Sequence, residues 1–281
     1  MIMKQLIYVL ITTVCIFFRA NAENRPLAFL KVEYKEIATE KIFENGDSLI
    51  TKYDYVLQIG RDQSFYHDPR QYYVDSLRND PQGKIVYEEI DTKALHMGGD
   101  WFKNRAKLGI GGGKKRMVRK DFTALKNEVW DSSLGDKYHY FVPMDITWEI
   151  ADSVKTILDY ECQLAIADYH GRRWEAWFCP EIPVQDGPWQ LCGLPGLIME
   201  AKTLDNMFAF IISGIQECSE PLKEPFNQDD YFNSNRKTFL KTKKHGLDNL
   251  AASISARTGG AVKLNSNKVF IWCDLIETDY K

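Results

Sequence analysis

The residues that could carry chemistry are scattered along this chain. Five histidines, His67, His96, His139, His170 and His245, include no pair at metal-ligand spacing, and neither a two-histidine zinc helix nor an acidic calcium loop occurs. No Gly-x-Ser-x-Gly elbow presents a serine nucleophile. The stretch Gly109-Ile110-Gly111-Gly112-Gly113-Lys114-Lys115 misses the phosphate-loop spacing and lacks a Ser or Thr after the lysine. It reads as a flexible loop, and Lys114-Lys115-Arg116 as a solvated basic run. Glu175 and Glu181, with Glu200 beyond, could supply the paired carboxylates of a hydrolase. Cross-strand ion pairing on a half-exposed sheet is the stronger reading of the same residues. Nothing in these patterns calls for a cofactor or a metal.

Cysteine offers more. Beyond Cys15 in the leading apolar run stand Cys162, Cys179, Cys192, Cys218 and Cys273, an odd set of which some should pair in an oxidising compartment. Two alternating runs, Cys162 to Tyr169 and Arg172 to Cys179, flank His170-Gly171, the glycine suiting a tight hairpin turn. With those two residues as the turn, Tyr169 faces Arg172 and the ladder brings Cys162 opposite Cys179. That position is a non-hydrogen-bonded one, where Cα atoms approach to about 4.5 Å. A Cys179–Cys192 bridge over the Glu181 to Pro188 connection is the rival, and a buried free thiol at Cys162 the plainer alternative.

The compartment follows from the N-terminus. Lys4 precedes an apolar run from Leu6 to Phe18, and Ala20-Asn21-Ala22 forms a small-x-small exit before Glu23. These are the parts of a cleavable secretory signal over residues 1–22. Arg19 ends the run short of the roughly 20 apolar residues that span a bilayer. Thr12 and Val14 do not suit lipoprotein processing at Cys15. No later segment approaches spanning length. A net charge of −3, made more acidic by loss of Lys4 and Arg19, gives no electrostatic case for nucleic acid.

The elements that must position these residues read as mainly β. Short alternating runs at 28–32, 53–59 and 84–87 are expected strands, with Asn45-Gly46-Asp47 and Asn79-Asp80-Pro81 as turns. Thr203 to Glu217 reads as strand. A change of period across 229–257, through Phe232, Phe239, Leu240, Leu247 and Leu250, suggests one or two helices interrupted at Gly246 and ended by Gly259-Gly260. A last apolar run covers Val269 to Cys273. Residues 23–281 are therefore expected to form a single β-rich domain, a curved antiparallel sheet (half-barrel or bowl-like) with late helices packed on it.

Residues 148 to 200 carry a resemblance. Gly193-Leu194-Pro195-Gly196-Leu197-Ile198 spells the hexapeptide of the GLPGLI family of exported Bacteroidetes proteins. Around it stand Trp148-Glu149-Ile150, Tyr160-Glu161-Cys162, Gly171-Arg172-Arg173-Trp174-Glu175-Ala176-Trp177, Glu181-Ile182-Pro183 and Gly187-Pro188, in order and at family-like spacing. Cys179 and Cys192 depart from the residues more usual there. The resemblance implies the periplasm or envelope of a Gram-negative cell and carries over no catalytic residue.

Physically, Leu194-Pro195-Gly196-Leu197 has the residue order of a type II turn, with Gly196 at positive φ and Leu197 or Ile198 buried. Trp174 and Trp177 are expected on opposite faces of one strand. The expected function is a non-enzymatic binding or accessory protein of the cell envelope, its partner open among an envelope protein, a lipid, a peptide and a glycan. The alternatives are an exported hydrolase using carboxylates near the 162–181 hairpin and a structural envelope protein without a small ligand.

Overall fold

A computed structural model describes residues 25–257, 270–272 and 275–280; the expected signal at 1–22, Gly259-Gly260 and Cys273 lie outside them. The chain opens with three antiparallel strands, β1 (Leu27–Phe43), β2 (Ser48–Gly60) and β3 (Gln63–His67). Alternation is visible in β1, where Val32, Tyr34, Glu36 and Ala38 are all buried in one row. A glutamate thus occupies a position that the pleat turns toward the core.

Three helices follow, α1 (Pro69–Asn79), α2 (Pro81–His96) and α3 (Trp101–Lys107). They correct the strand expected at 84–87, which lies inside α2. Asp80 and Pro81 are a helix start rather than a turn: the Asp80 carboxylate accepts the Gly83 N–H at 2.6 Å, and proline takes the first helical position. Asp68 and Pro69 start α1 in the same way, Asp68 accepting from Gln71 N–H at 2.9 Å.

The sheet resumes with β4 (Met117–Asp121), β5 (Lys126–Ser133), β6 (Asp136–Pro143), β7 (Glu149–Ile157), β8 (Tyr160–Tyr169), β9 (Arg172–Cys179), β10 (Leu197–Thr203) and β11 (Phe208–Pro221). Leu134-Gly135, Leu158-Asp159 and His170-Gly171 all have positive φ at both residues and close two-residue hairpins. The β8–β9 ladder runs from Tyr169 opposite Arg172 to Gln163 opposite Phe178, in the register expected from the sequence. Short β12 (Phe232–Asn233) pairs in parallel with β6, and β13 (Phe270–Trp272) pairs with the end of β1.

Among the described residues these strands form one curved sheet in the order β12-β6-β5-β4-β3-β2-β1-β11-β10-β9-β8-β7, with β13 off the path, and it does not close into a barrel. β1 carries register shifts at Ala28/Leu30, Glu33/Tyr34 and Thr39/Lys41, irregularities of the kind that let a long strand follow a curved sheet. The late helices are α4 (Arg236–Asp248) and α5 (Leu250–Arg257). They part at Asn249, not at Gly246, which is buried where a Cβ would meet Leu134 Cδ1 at 2.9 Å. Phe232, expected on a helix, lies exposed in β12. The α4 residues Phe239 and Leu240 are buried in the core cluster with Tyr140 of β6 and Leu275 and Ile276 near the chain's end.

Candidate functional site

A cleft of about 470 Å³ lies between the sheet, α4 and the segment 275–277. Its apolar walls come from Leu240 and Leu247 of α4, Phe208 of β11 and Leu275 and Ile276. Its polar side comes from β1, β2, β5 and the loop before β4. Here the basic run departs from expectation. Arg116 is mostly buried and pairs with the buried Glu36, while Lys114 Nζ reaches Glu40 at 2.7 Å. The glycines before it let the loop lie on α1, since a Cβ at Gly113 would meet the Gln71 backbone nitrogen at 2.8 Å.

Every carboxylate lining the cleft is matched to a cation. Besides those two pairs, Asp131 receives Lys243 of α4 at 2.6 Å, and Glu277 receives Arg236 at 2.6 Å. Burial opposes the Arg116 charge, but Glu36, Tyr55, Tyr66 and Asp131 overcome it and hold the guanidinium above its usual range. Burial also holds the Tyr55 phenol well above the tyrosine range, against Arg116, so its hydroxyl stays protonated. Two buried donors remain without partners, the Arg116 Nε–H and the Tyr55 hydroxyl, and so does the hydroxyl of Tyr66, whose ring stacks on Tyr55 at 4.5 Å.

The motif residues sit elsewhere; none of 148–200 lines the cleft. Trp174 is buried against Phe210 and Trp189, while Trp177, on the other face, carries Lys155 Nζ over its ring at 4.6 Å. Trp148 donates its Nε1–H to the Cys192 carbonyl at 2.8 Å. Glu175 pairs with Lys202 directly across the ladder at 3.0 Å, and Glu200 with Lys155. Glu181 and Pro183 stand exposed in the connection after β9. Glu175 and Glu200 are thus ion-paired on the sheet, Glu181 stands apart from them, and none of the three lines the cleft.

Leu194, Leu197 and Ile198 are buried, as expected, but the turn is of another kind. Gly196 is not at positive φ; its N–H donates to the Leu194 carbonyl at 2.8 Å, a three-residue turn around Pro195. Positive φ belongs to Gly193 instead. Gly196 is needed for close approach, because a Cβ there would lie 2.1 Å from the Cys179 carbonyl oxygen. Gly187 likewise leaves room for Ile198, and Pro188 is buried beside it. Cys162 and Cys179 are the next facing positions beyond the last β8–β9 pair, and both are buried. The four described cysteines are free thiols. Burial pushes the Cys162 thiol up to about 12, with Cys179 adding to it, and Cys192 up to about 11.

Sequence spacing missed two further constellations. Lys120 of β4, wholly buried, donates to Asp186 Oδ1 and the Gly187 carbonyl, each at 2.5 Å, and to the Leu191 carbonyl at 3.2 Å. The alternation of Val118 with Lys120 was the available signal. His170, Glu277 and Asp279 are the one set among the described residues whose ligand atoms gather as a metal would require, within 4.8 Å. Arg236 donates to both carboxylates, so a guanidinium already fills the cationic position between them.

Residues 170–200 match the family model Porph_ging, described as a protein of unknown function. The match is a short one, compatible with an uncharacterised Bacteroidetes family. No curated protein matches the chain. Among solved structures it is similar to PNGF-II in a P21 crystal form, at 9% identity over 77% of this chain and 33% of that one, with a TM-score of 0.45. The C2 form of PNGF-II gives 10% identity over 75% and 33%, with a TM-score of 0.41. The chain thus spans about a third of the length of these structures, and a likeness this slight carries no argument. No helix of the described residues is long and apolar enough to cross a membrane.

Proposed function

We propose that this chain is an exported, non-enzymatic binding protein of a Gram-negative cell envelope, of the GLPGLI type, holding its ligand in the cleft against α4. The observation that carries the reading is the state of the cleft's charges. Catalytic acids and bases are left to titrate by poor matching or desolvation, whereas Glu36, Glu40, Asp131 and Glu277 each meet a cation. Glu40 is held below the usual carboxylate range: burial pushes it up, and Lys114 with its hydrogen bonds outweighs that. Apolar walls with a few fixed polar groups are the make-up of a binding pocket. Such a concavity also weighs against a purely structural envelope protein.

The signal-like residues 1–22 support the reading from the other end. The test is native mass spectrometry of protein purified from its own envelope fraction, with N-terminal sequencing. A start at Glu23 and a co-purifying molecule lost in Leu247→Trp, which fills the cleft, are expected. An uncleaved Met1, or protein that carries nothing in its cleft at any purification stage, would overturn it.

A further inference from the structure

Away from the cleft, and independently of what it holds, we propose that the tip of the α2–α3 pair docks on an anionic phospholipid surface. Leu95, Met97 and Phe102 enter the surface, and Lys93, Lys103 and Lys107 meet the headgroups. The three early helices build outward from the sheet: α1 packs on β2, α2 on α1, and α3 on α2. Only Gly83 and Ala94 of α2 and Asn104 of α3 are buried. The apolar side chains at the tip are therefore not spent on the fold. Phe102 is 74% exposed, Leu95 65% and Met97 48%, and every residue from Leu95 to Asp100 is exposed. The tip is nonetheless a fixed shape. Gly98 and Gly99 both take positive φ, and Asn104 Nδ2 donates to the Ala94 carbonyl at 3.0 Å and to the Gly98 carbonyl at 2.7 Å. Trp101 sits half-buried behind it, with the Arg105 guanidinium over its ring at 4.5 Å and Phe102 edge-on at 4.9 Å. An apolar promontory held in one shape points to a surface that covers it.

Charge and size say which surface. From Asp91 to Lys107 there are four cations, Lys93, Lys103, Arg105 and Lys107, and two acids, a net of +2 on a chain of net −3. Both acids are engaged, Asp91 by Arg105 at 2.5 Å and Asp100 by the Lys103 backbone N–H at 3.1 Å. Lys93, Lys103 and Lys107 stand exposed and make no ion pair among the described residues. Apolar side chains rimmed by lysines are the make-up of an interfacial anchor, and lysine stems let the ammoniums reach the headgroups. A second copy would bring these like charges face to face across a two-fold axis. A protein partner needs about 800 Å² per side, more than three side chains supply, whereas a bilayer takes up apolar side chains one at a time.

Flotation of the full exported protein with vesicles of phosphatidylcholine alone, and of phosphatidylcholine with an equal part of phosphatidylglycerol, tests this. Binding to the mixed vesicles is expected to be at least about tenfold tighter than to the neutral ones, each lysine at the surface contributing about fivefold. Lys103→Gln should weaken binding to the mixed vesicles about fivefold and leave the neutral ones unchanged. The double variant Leu95→Ser, Phe102→Ser should abolish flotation with an unchanged melting temperature, because both side chains are exposed. Leu247→Trp, which fills the cleft, should leave flotation as it is. Equal binding to neutral vesicles overturns the anionic surface, and flotation that survives the double variant overturns the tip. Absence of flotation overturns the proposal outright. A dimer in analytical ultracentrifugation that the double variant dissolves would assign the tip to a second copy and overturn it as well. None of these results bears on the cleft, whose reading falls only to the co-purification result.

Discussion

His67 makes the stability of this protein depend on pH in a way that one substitution should remove. It ends β3 beneath α1, wholly buried, with its ring 5.3 Å from Phe65 and 5.0 Å from Tyr72. Neither ring nitrogen makes a regular hydrogen bond, and the Phe65 backbone offsets only part of the burial. Burial lowers its pKa to about 3, and Lys223 adds to the effect. The folded value thus lies below the unfolded value of about 6.5, so the native state favours neutral imidazole. That contribution is fully present above the unfolded pKa and is lost as pH falls from there toward the folded one. At pH 5 the unfolded ring is about 1.5 units below its pKa while the native ring is still neutral. At roughly 1.36 kcal/mol per unit, the loss between pH 8 and pH 5 is about 2 kcal/mol. Urea unfolding of the wild type and of His67→Phe at both pH values measures it. The wild type should lose about 2 kcal/mol more than the variant, because other titrating groups are common to both and cancel. Equal losses would refute the reasoning, and would mean that the ring is protonated or solvated in the native state.

Gly196→Ala should destabilise by more than about 2 kcal/mol, because its Cβ would strike the Cys179 carbonyl oxygen; an unchanged melting temperature would count against the close approach. Lys120→Met alone leaves Asp186 buried and unpaired and should cost about 3–5 kcal/mol, while adding Asp186→Asn should recover part of it in chemical denaturation. A double variant as unstable as the single would refute the ion-pair account. Non-reducing peptide mapping of protein from an oxidising compartment should join Cys162 to Cys179, since the register sets them face to face. Recovery of Cys162 as an alkylated thiol would instead leave it the buried free thiol it is in the structure.

What was legible in the chain follows from where the physics is local. The His170-Gly171 hairpin and its register could be read because alternation and a two-residue turn fix pairing without reference to the rest of the molecule. The helices α1 to α3 were missed because Lys84-Ile85-Val86-Tyr87 alternates like a strand, although Ile85 and Val86 are in fact exposed. The overlooked signal was the repeated Asp-Pro, at 68–69 and 80–81, a cap followed by a proline at the first helical position. The cleft was not legible at all. Its polar side unites Glu36, Tyr55, Arg116 and Asp131, which lie far apart in sequence; the β1–β2 register makes Glu36 and Tyr55 diagonal neighbours, and Arg116 and Asp131 are the next facing positions beyond the β4–β5 ladder.

The motif region and the cleft are nonetheless joined mechanically. Arg172, at the start of β9, donates Nε–H to the Ile276 carbonyl at 3.0 Å and Nη2–H to the Leu275 carbonyl at 2.7 Å. Thr278 donates its backbone N–H to the His170 carbonyl and its hydroxyl to the Gly171 carbonyl, both at 2.8 Å. Gln190 donates to Glu277 at 3.3 Å. Residues 275–278 are thus pinned to the β8–β9 hairpin by groups that all lie within 170–190, while Leu275, Ile276 and Glu277 form one wall of the cleft. Lys120 and the glycines at 187 and 196 fasten the same stretch to the sheet from behind. A signature confined to 170–200 therefore marks a clamp that holds the wall in place. The cleft's polar side, at Glu36, Tyr55, Arg116 and Asp131, and its apolar side on α4 lie outside that stretch. Proteins sharing that signature are then expected to share this support, whatever the rest of their sequence does.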